Sequence, residues 1–126
     1  MTMSDDCKKK CQIFTPKENV KQLLDWVGYK KNLYGKKIIE PRCGQGNILI
    51  EIVERYILDC IKKHYSKNKI KEGLHRDIYG IEYDPKHYKI CIDNIKKILK
   101  KYNLDGIDLN IYCEDTLKKE FNIKFD

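Results

Sequence analysis

Lys37-Ile38-Ile39-Glu40-Pro41-Arg42-Cys43-Gly44-Gln45-Gly46-Asn47 is the stretch on which the reading of this chain turns. A short apolar run ending at a proline predicts a buried strand entering a turn, because proline has no N–H to give to a ladder. Gly44 and Gly46 then let the backbone bend tightly and let a ligand approach with no Cβ in the way. From Asn47 to about Lys63, the residues Ile48, Ile52, Val53, Tyr56, Ile57, Cys60 and Ile61 form one apolar stripe at helical spacing. Strand, glycine turn and helix in that order put the turn outside the carboxyl end of a strand, where open α/β sheets bind ligands.

Working outward, the same alternation continues. Thr15 can cap a helix whose first residue is Pro16; Val20, Leu23, Leu24 and Val27 recur on one face, and Gly28 can end it. Lys30 to Lys37 reads as a polar connection, and the lysine-rich stretch from Tyr65 to Arg76 as a surface excursion without periodicity. Asp77 to Asp84 is a second strand with acidic residues at its exit. Pro85 opens a helix to about Tyr102, with Tyr88, Cys91, Ile92, Ile95, Ile98 and Leu99 facing inward. After a turn from Asn103 to Asp108, Leu109 to Cys113 is a third strand, ended by Glu114-Asp115. Helix, strand, helix, strand, helix, strand implies an α/β fold with three parallel strands, right-handed crossovers and flanking helices. The polar stretch from Met1 to Gln12 reads as a disordered tail, and residues 13–126 as the folded unit.

With 126 residues, the chain is long enough for one core and no more. No apolar run approaches the ~20 residues needed to span a bilayer, and the polar N-terminus has no signal-peptide character, so the expected location is cytoplasmic. A net charge of +7 and a pI near 9.0 permit a polyanionic partner without establishing one, since most of the basic residues are lysines of an ordinary solvated kind. Of the six cysteines, Cys43 lies in the glycine turn, while Cys60, Cys91 and Cys113 fall on apolar faces. Cys7 and Cys11 stand alone as a C-x-x-x-C pair with nothing to complete a zinc site. Reduced, buried thiols are expected, with no metal.

The notable polar residues all fall at strand exits: Glu40 to Gly46 after the first, Glu82 and Asp84 after the second, Asp115 after the third. A dinucleotide fingerprint needs a third glycine, where this chain has Leu49, and an acid about 20 residues on, far short of Glu82. A phosphate-binding Gly-Lys-Ser/Thr is absent. A carboxylate at Glu82 can accept both hydroxyls of a ribose, and Asp115 can accept an adenine amine, with Ile81, Tyr83 and Leu117 as walls for the ring. Singly, Glu82 or Asp115 reads as readily as a helix cap or a solvated turn. Together with the glycine turn they outline an adenosine.

Ile13-Phe14-Thr15-Pro16-Lys17-Glu18-Asn19-Val20, Leu23-Leu24-Asp25, the stretch from Glu40 to Leu49, and Gly80-Ile81-Glu82-Tyr83-Asp84 together resemble the start of an adenine-specific, amino-methylating DNA methyltransferase of restriction–modification type. The resemblance covers nearly everything after residue 12. It implies the amino-terminal half of a Rossmann-like S-adenosylmethionine-dependent methyltransferase fold, with S-adenosyl-L-methionine as cofactor and DNA as the partner of the full-length family. It also implies roles. Phe14, Thr15 and Pro16 match the block over the methionine moiety, and Glu40, Pro41, Cys43, Gly44 and Gly46 match the loop whose acid receives the cofactor's amino group. Glu82 matches the ribose-binding acid with Tyr83 beside the adenine, and Asp115 the acceptor of the adenine amine with Leu117 next to it.

Two departures stand out. Arg42 replaces the small residue usual between the proline and the cysteine. The catalytic Asn/Asp-Pro-Pro-Tyr/Phe block, which in the family follows a Phe-Asp pair, does not follow Phe125-Asp126. That block holds a flipped base against the methyl donor, so no catalytic residue is assigned and the chain is expected to be inactive alone. Alternatives are a non-catalytic or degenerate cofactor-binding module that needs a partner chain, or part of an RNA or protein methyltransferase. The first strand, central in the family, is expected to form an open edge prone to self-association or to pairing with another chain.

Overall fold

The computed structural model describes residues 17–41, 43 and 46–114. The order is α1 (Lys17–Trp26), β1 (Ile38–Glu40), α2 (Asn47–Lys62), α3 (Lys67–Asp77), β2 (Ile78–Glu82), α4 (Pro85–Lys101) and β3 (Asn110–Cys113). The strands form one parallel sheet in the order β1-β2-β3, with Ile38 beside Ile78 and Tyr79 beside Asn110. Among the described residues β1 pairs with β2 alone, which leaves its other side as an edge. All five residues of β2 are buried, as expected of a central parallel strand. No helix of the described residues is long and apolar enough to cross a membrane.

The apolar stripes settle which faces meet. Val20 and Leu24 of α1, Leu49, Ile52, Val53, Tyr56 and Ile57 of α2, and Cys91, Ile95 and Leu99 of α4 close on Ile78 and Ile111 of the sheet. Arg55 of α2 ties α1 down: its guanidinium donates to Asp25 at 2.7 Å, to Glu51 at 3.1 Å and to the carbonyls of Tyr29 and Lys21. That pairing holds the Asp25 carboxyl below the usual carboxylate range.

Three helices stop in the same way. Gly28, His64 and Asn103 adopt left-handed backbone after α1, α2 and α4. The next residue's N–H then returns to a carbonyl five positions back: Tyr29 to Leu24, Tyr65 to Cys60, Leu104 to Leu99. This closure satisfies carbonyls that a helix end otherwise leaves orphaned, and it folds the following side chain onto the core.

The structure corrects the sequence reading in several places. Lys67–Asp77 is a helix and not an aperiodic excursion; Ser66 caps it through the Lys69 N–H, and Ile70, Gly73 and Leu74 face the core. Asp77 ends that helix and does not begin the second strand. The connection Lys30 to Lys37 is polar in composition only, since Leu33 within it is fully buried. Val27 and Ile61, placed by their spacing on the apolar faces of the first two helices, are about half exposed: Val27 lies just past the end of α1 and Ile61 in the last turn of α2. Cys43, Cys60 and Cys91 are free and buried as expected, but Cys113 is exposed at the end of β3. The start of the first helix at Thr15-Pro16, the tail at residues 1–12, and Cys7 and Cys11 lie outside the described residues.

Candidate functional site

The exits of β1 and β2 lie side by side, because Glu40 pairs with Gly80 and Glu82 is two residues further on. Glu40 and Glu82 are both buried carboxylates at strand ends. The turn after β1 is fixed to β2: the Cys43 N–H donates to the Ile81 carbonyl at 2.9 Å, continuing the ladder one step past the strand. The Cys43 thiol donates back to the Glu40 carbonyl at 3.6 Å. A hydrogen bond with Cys91, and then burial, push that thiol far above its ordinary pKa, so it is a neutral packing group and no nucleophile.

Two glycines make this approach possible. A Cβ on Gly80, in the middle of β2, would stand 2.5 Å from the Cys43 sulfur and 3.0 Å from Leu49. Gly46 caps α2 at φ +95, and its N–H and carbonyl bond Cys43 and Ile50. A side chain there would need a left-handed backbone and would press on the Cys91 sulfur at 3.0 Å.

After β2, a Glu82 carboxylate oxygen accepts the Asp84 N–H at 2.7 Å, which bends the chain out of the sheet. Asp84 then caps α4 by accepting the Lys86 N–H at 2.8 Å, with Pro85 in the first turn. The Glu82 carbonyl takes the Glu114 N–H, drawing the β3 exit alongside. Tyr83 projects outward, 76% exposed, and so offers a free ring face beside the buried acid. Ile81 is buried in the sheet at 1% and supports the turn from below through its carbonyl.

Of the residues singled out from sequence, the structure gathers Glu40, Pro41, Cys43, Gly46, Glu82 and Tyr83 at adjoining strand exits. Phe14, Thr15, Pro16, Gly44, Asp115 and Leu117 lie outside the described residues. Sequence reasoning missed Gly80 and Cys91, whose packing sets the height of the turn; a glycine inside an apolar strand was the available signal, since it marks close approach of another backbone. Among the described residues no cluster of His, Cys, Asp and Glu is arranged to hold a metal. A cavity of about 340 Å³ lies elsewhere, beside the outer edge of β1, lined by Leu23, Val27, Ile39 and Ile48 and touching the strand exits only at Glu40. The strand-exit carboxylates, and not this apolar cavity, carry the chemistry a polar ligand needs.

Comparisons with known proteins agree with this fold. The chain is 29% identical over 100 residues to the type II methyltransferase M.BstVI of Geobacillus stearothermophilus, covering 78% of this chain and 18% of that protein. It is 32% identical over 108 residues to the modification methylase CviBIII of Paramecium bursaria Chlorella virus NC1A, covering 85% of this chain and 23% of that one. It thus spans about a fifth of the length of these relatives. In fold it is similar to the ATP-dependent type ISP restriction-modification enzyme LlaBIII bound to DNA, with a TM-score of 0.63, 22% identity, and coverage of 90% of this chain and 9% of that one. The family model described as N-6 DNA methylase matches residues 2–126, and the chain belongs to that family.

Proposed function

We propose that this chain is the S-adenosylmethionine-binding portion of a site-specific DNA adenine methyltransferase, one that transfers a methyl group to the exocyclic amine of adenine and is inactive without the groups that present the base. The observation that carries the reading is the juxtaposition of Glu40 and Glu82, two buried carboxylates at neighbouring strand exits, across a turn held down by Cys43. Their chemistry fits the cofactor. Glu82 accepts the Asp84 N–H, and a carboxylate has about four acceptor positions, so its chemistry suits the hydroxyls of a ribose. Glu40 suits a cationic amino group, and the exposed Tyr83 ring suits one face of an adenine. When bound, the cofactor supplies an electrophilic methyl group. Glu40, Glu82 and Tyr83 would orient it. The finer roles of Phe14, Thr15, Pro16, Pro41, Gly44, Asp115 and Leu117 belong to the same proposal.

The edge of β1 supports a further part of the reading. Its backbone groups and the apolar cavity beside it form a surface on which another strand can pair, from a second copy or from a partner chain. Partnership with DNA rests on family membership.

Calorimetry with S-adenosylhomocysteine tests the cofactor assignment. The chain is expected to bind one equivalent, and Glu82→Ala to weaken binding by about 1.5–3 kcal/mol, the loss typical of a hydrogen bond to a charged group. Binding unaffected by Glu82→Ala, or a folded chain that binds none, overturns it.

A further inference from the structure

Charge in this molecule is divided by the direction of the sheet. At the end where the strands begin lie three segments: the connection 28–37, the stretch 62–77 with α3, and 96–109 with the last turns of α4. They hold fourteen Lys and Arg against four Asp and Glu. The other described residues, which include the strand exits, hold five against ten. Two of those ten acids, Asp59 and Glu54, pair with Lys63 and Lys101 of the basic segments, and the three segments still carry a large excess of positive charge.

The three segments form one surface. The Lys63 ammonium donates to Asn32 at 2.7 Å, the Gly35 N–H donates to Asp77, the His75 ring meets the Asp108 carbonyl at 2.7 Å, and Asn110 donates to the His75 carbonyl. Aromatic rings hold some of its cations in place. The Lys69 ammonium sits 3.9 Å from the Tyr65 ring centroid, and the Arg76 guanidinium 4.6 Å from that of Tyr34. Lys30, Lys31, Lys36, Lys62 and Lys67 are exposed around them. Like charges at this density repel one another, and an anion laid across them relieves that repulsion.

We infer that the strand-start end of this protein is an anionic-ligand surface, away from the proposed cofactor site, that lies along the phosphodiester backbone of a nucleic acid. Polyanion binding follows from the charge division; its identity as nucleic acid rests on the DNA-methylase reading above. Lys67 and Lys71 stand one turn apart on α3, about 6 Å along the axis, while one duplex strand presents a phosphate every ~3.4 Å of its axis. Successive phosphates are also rotated about the duplex axis, so a lysine pair at that spacing suits neighbouring phosphates of one strand. Contacts of this kind are indifferent to sequence and hold an enzyme on DNA beside whatever its other surfaces read.

Fluorescence anisotropy with a labelled duplex of arbitrary sequence, titrated over a range of salt concentrations, tests this. Lys67→Glu/Lys71→Glu is expected to weaken binding at least tenfold at low salt and to lower the salt slope by about two. Lys86→Glu/Lys89→Glu, the same change in charge on the first turns of α4, is expected to do far less. Equal effects from the two pairs, or an unchanged slope in a variant with native circular dichroism, overturn the assignment. Competition by polyglutamate as effective per charge as DNA overturns the choice of nucleic acid. Binding of S-adenosylhomocysteine is expected to be unchanged in the α3 variant. A chain that binds DNA through these lysines but never binds S-adenosylhomocysteine sinks the cofactor reading and upholds this surface.

Discussion

A buried acid stands at each end of β2, Asp77 just before the strand and Glu82 at its last residue, and the two are built for opposite purposes. Asp77 is wholly buried and surrounded by donors: the Tyr56 hydroxyl at 2.6 Å, the Gly35 N–H at 2.7 Å, and two nitrogens of Arg76 at 2.7 and 2.9 Å. It joins α2, α3, β2 and the connection before β1 at one point. Burial alone would raise its pKa, but the hydrogen bonds from Arg76, Tyr56 and Gly35 outweigh it and leave the carboxyl below its ordinary value. Glu82 instead bonds the backbone of its own turn and sits beside an exposed aromatic ring. Asp77 is held by donors from several elements, whereas Glu82 is held by its own turn, and the proposed ligand role falls to Glu82.

The largest effect expected from breaking this contrast is at Asp77. Asp77→Ala leaves the buried Tyr56 hydroxyl without its acceptor, at about 1–3 kcal/mol, and removes the bonds from Arg76 and Gly35 as well, so urea unfolding should show a loss of roughly 3 kcal/mol. Because the folded pKa of Asp77 is depressed, its contribution is fully present above the unfolded value of about 3.9 and disappears as pH falls through the folded one. Wild type should therefore lose stability below about pH 4 more steeply than Asp77→Asn; parallel curves would remove Asp77 as the acid-sensitive group.

Next in size is Gly80→Ala. The added methyl meets the Cys43 sulfur and Leu49, and overpacking of this kind costs about 1–3 kcal/mol. It also lifts the turn after β1, so affinity for S-adenosylhomocysteine should fall with stability. A stable variant with full affinity would show that the turn is not seated by this contact. The smallest effect is at Glu82→Ala, where the midpoint in urea should move by no more than about 1 kcal/mol while cofactor affinity drops as described above. A large loss of stability would place Glu82 with Asp77, among the structural acids.

Much of this was legible in the residues. The run Ile38-Ile39-Glu40-Pro41 and the stripe of α2 announced strand, turn and helix, since period and proline act locally. Gly28 stopped α1 where a glycine stops a helix, and Pro85 opened α4. The helix α3 was hidden because only Ile70 and Leu74 mark its apolar face and Gly73 interrupts it. Eleven residues of that composition are a marginal helix in water and gain their stability from the contacts they make. Gly73 is there for the same reason: a Cβ would strike Tyr56 and Tyr34. Leu33 gave no periodic signal, since a single apolar residue in a lysine-rich connection looks the same whether it is buried or not.

The sequence by itself determined the three strands and every helix but α3, the turn after the first strand, and acids at the strand exits, because backbone preference and hydrophobic period are properties of neighbouring residues. Only the tertiary structure decided which acid is held by side chains from several elements and which by its own turn, how far Cys43 descends onto Gly80, and that lysines from three separate segments share one end of the sheet. Those outcomes depend on distances between residues far apart in the chain, which packing sets.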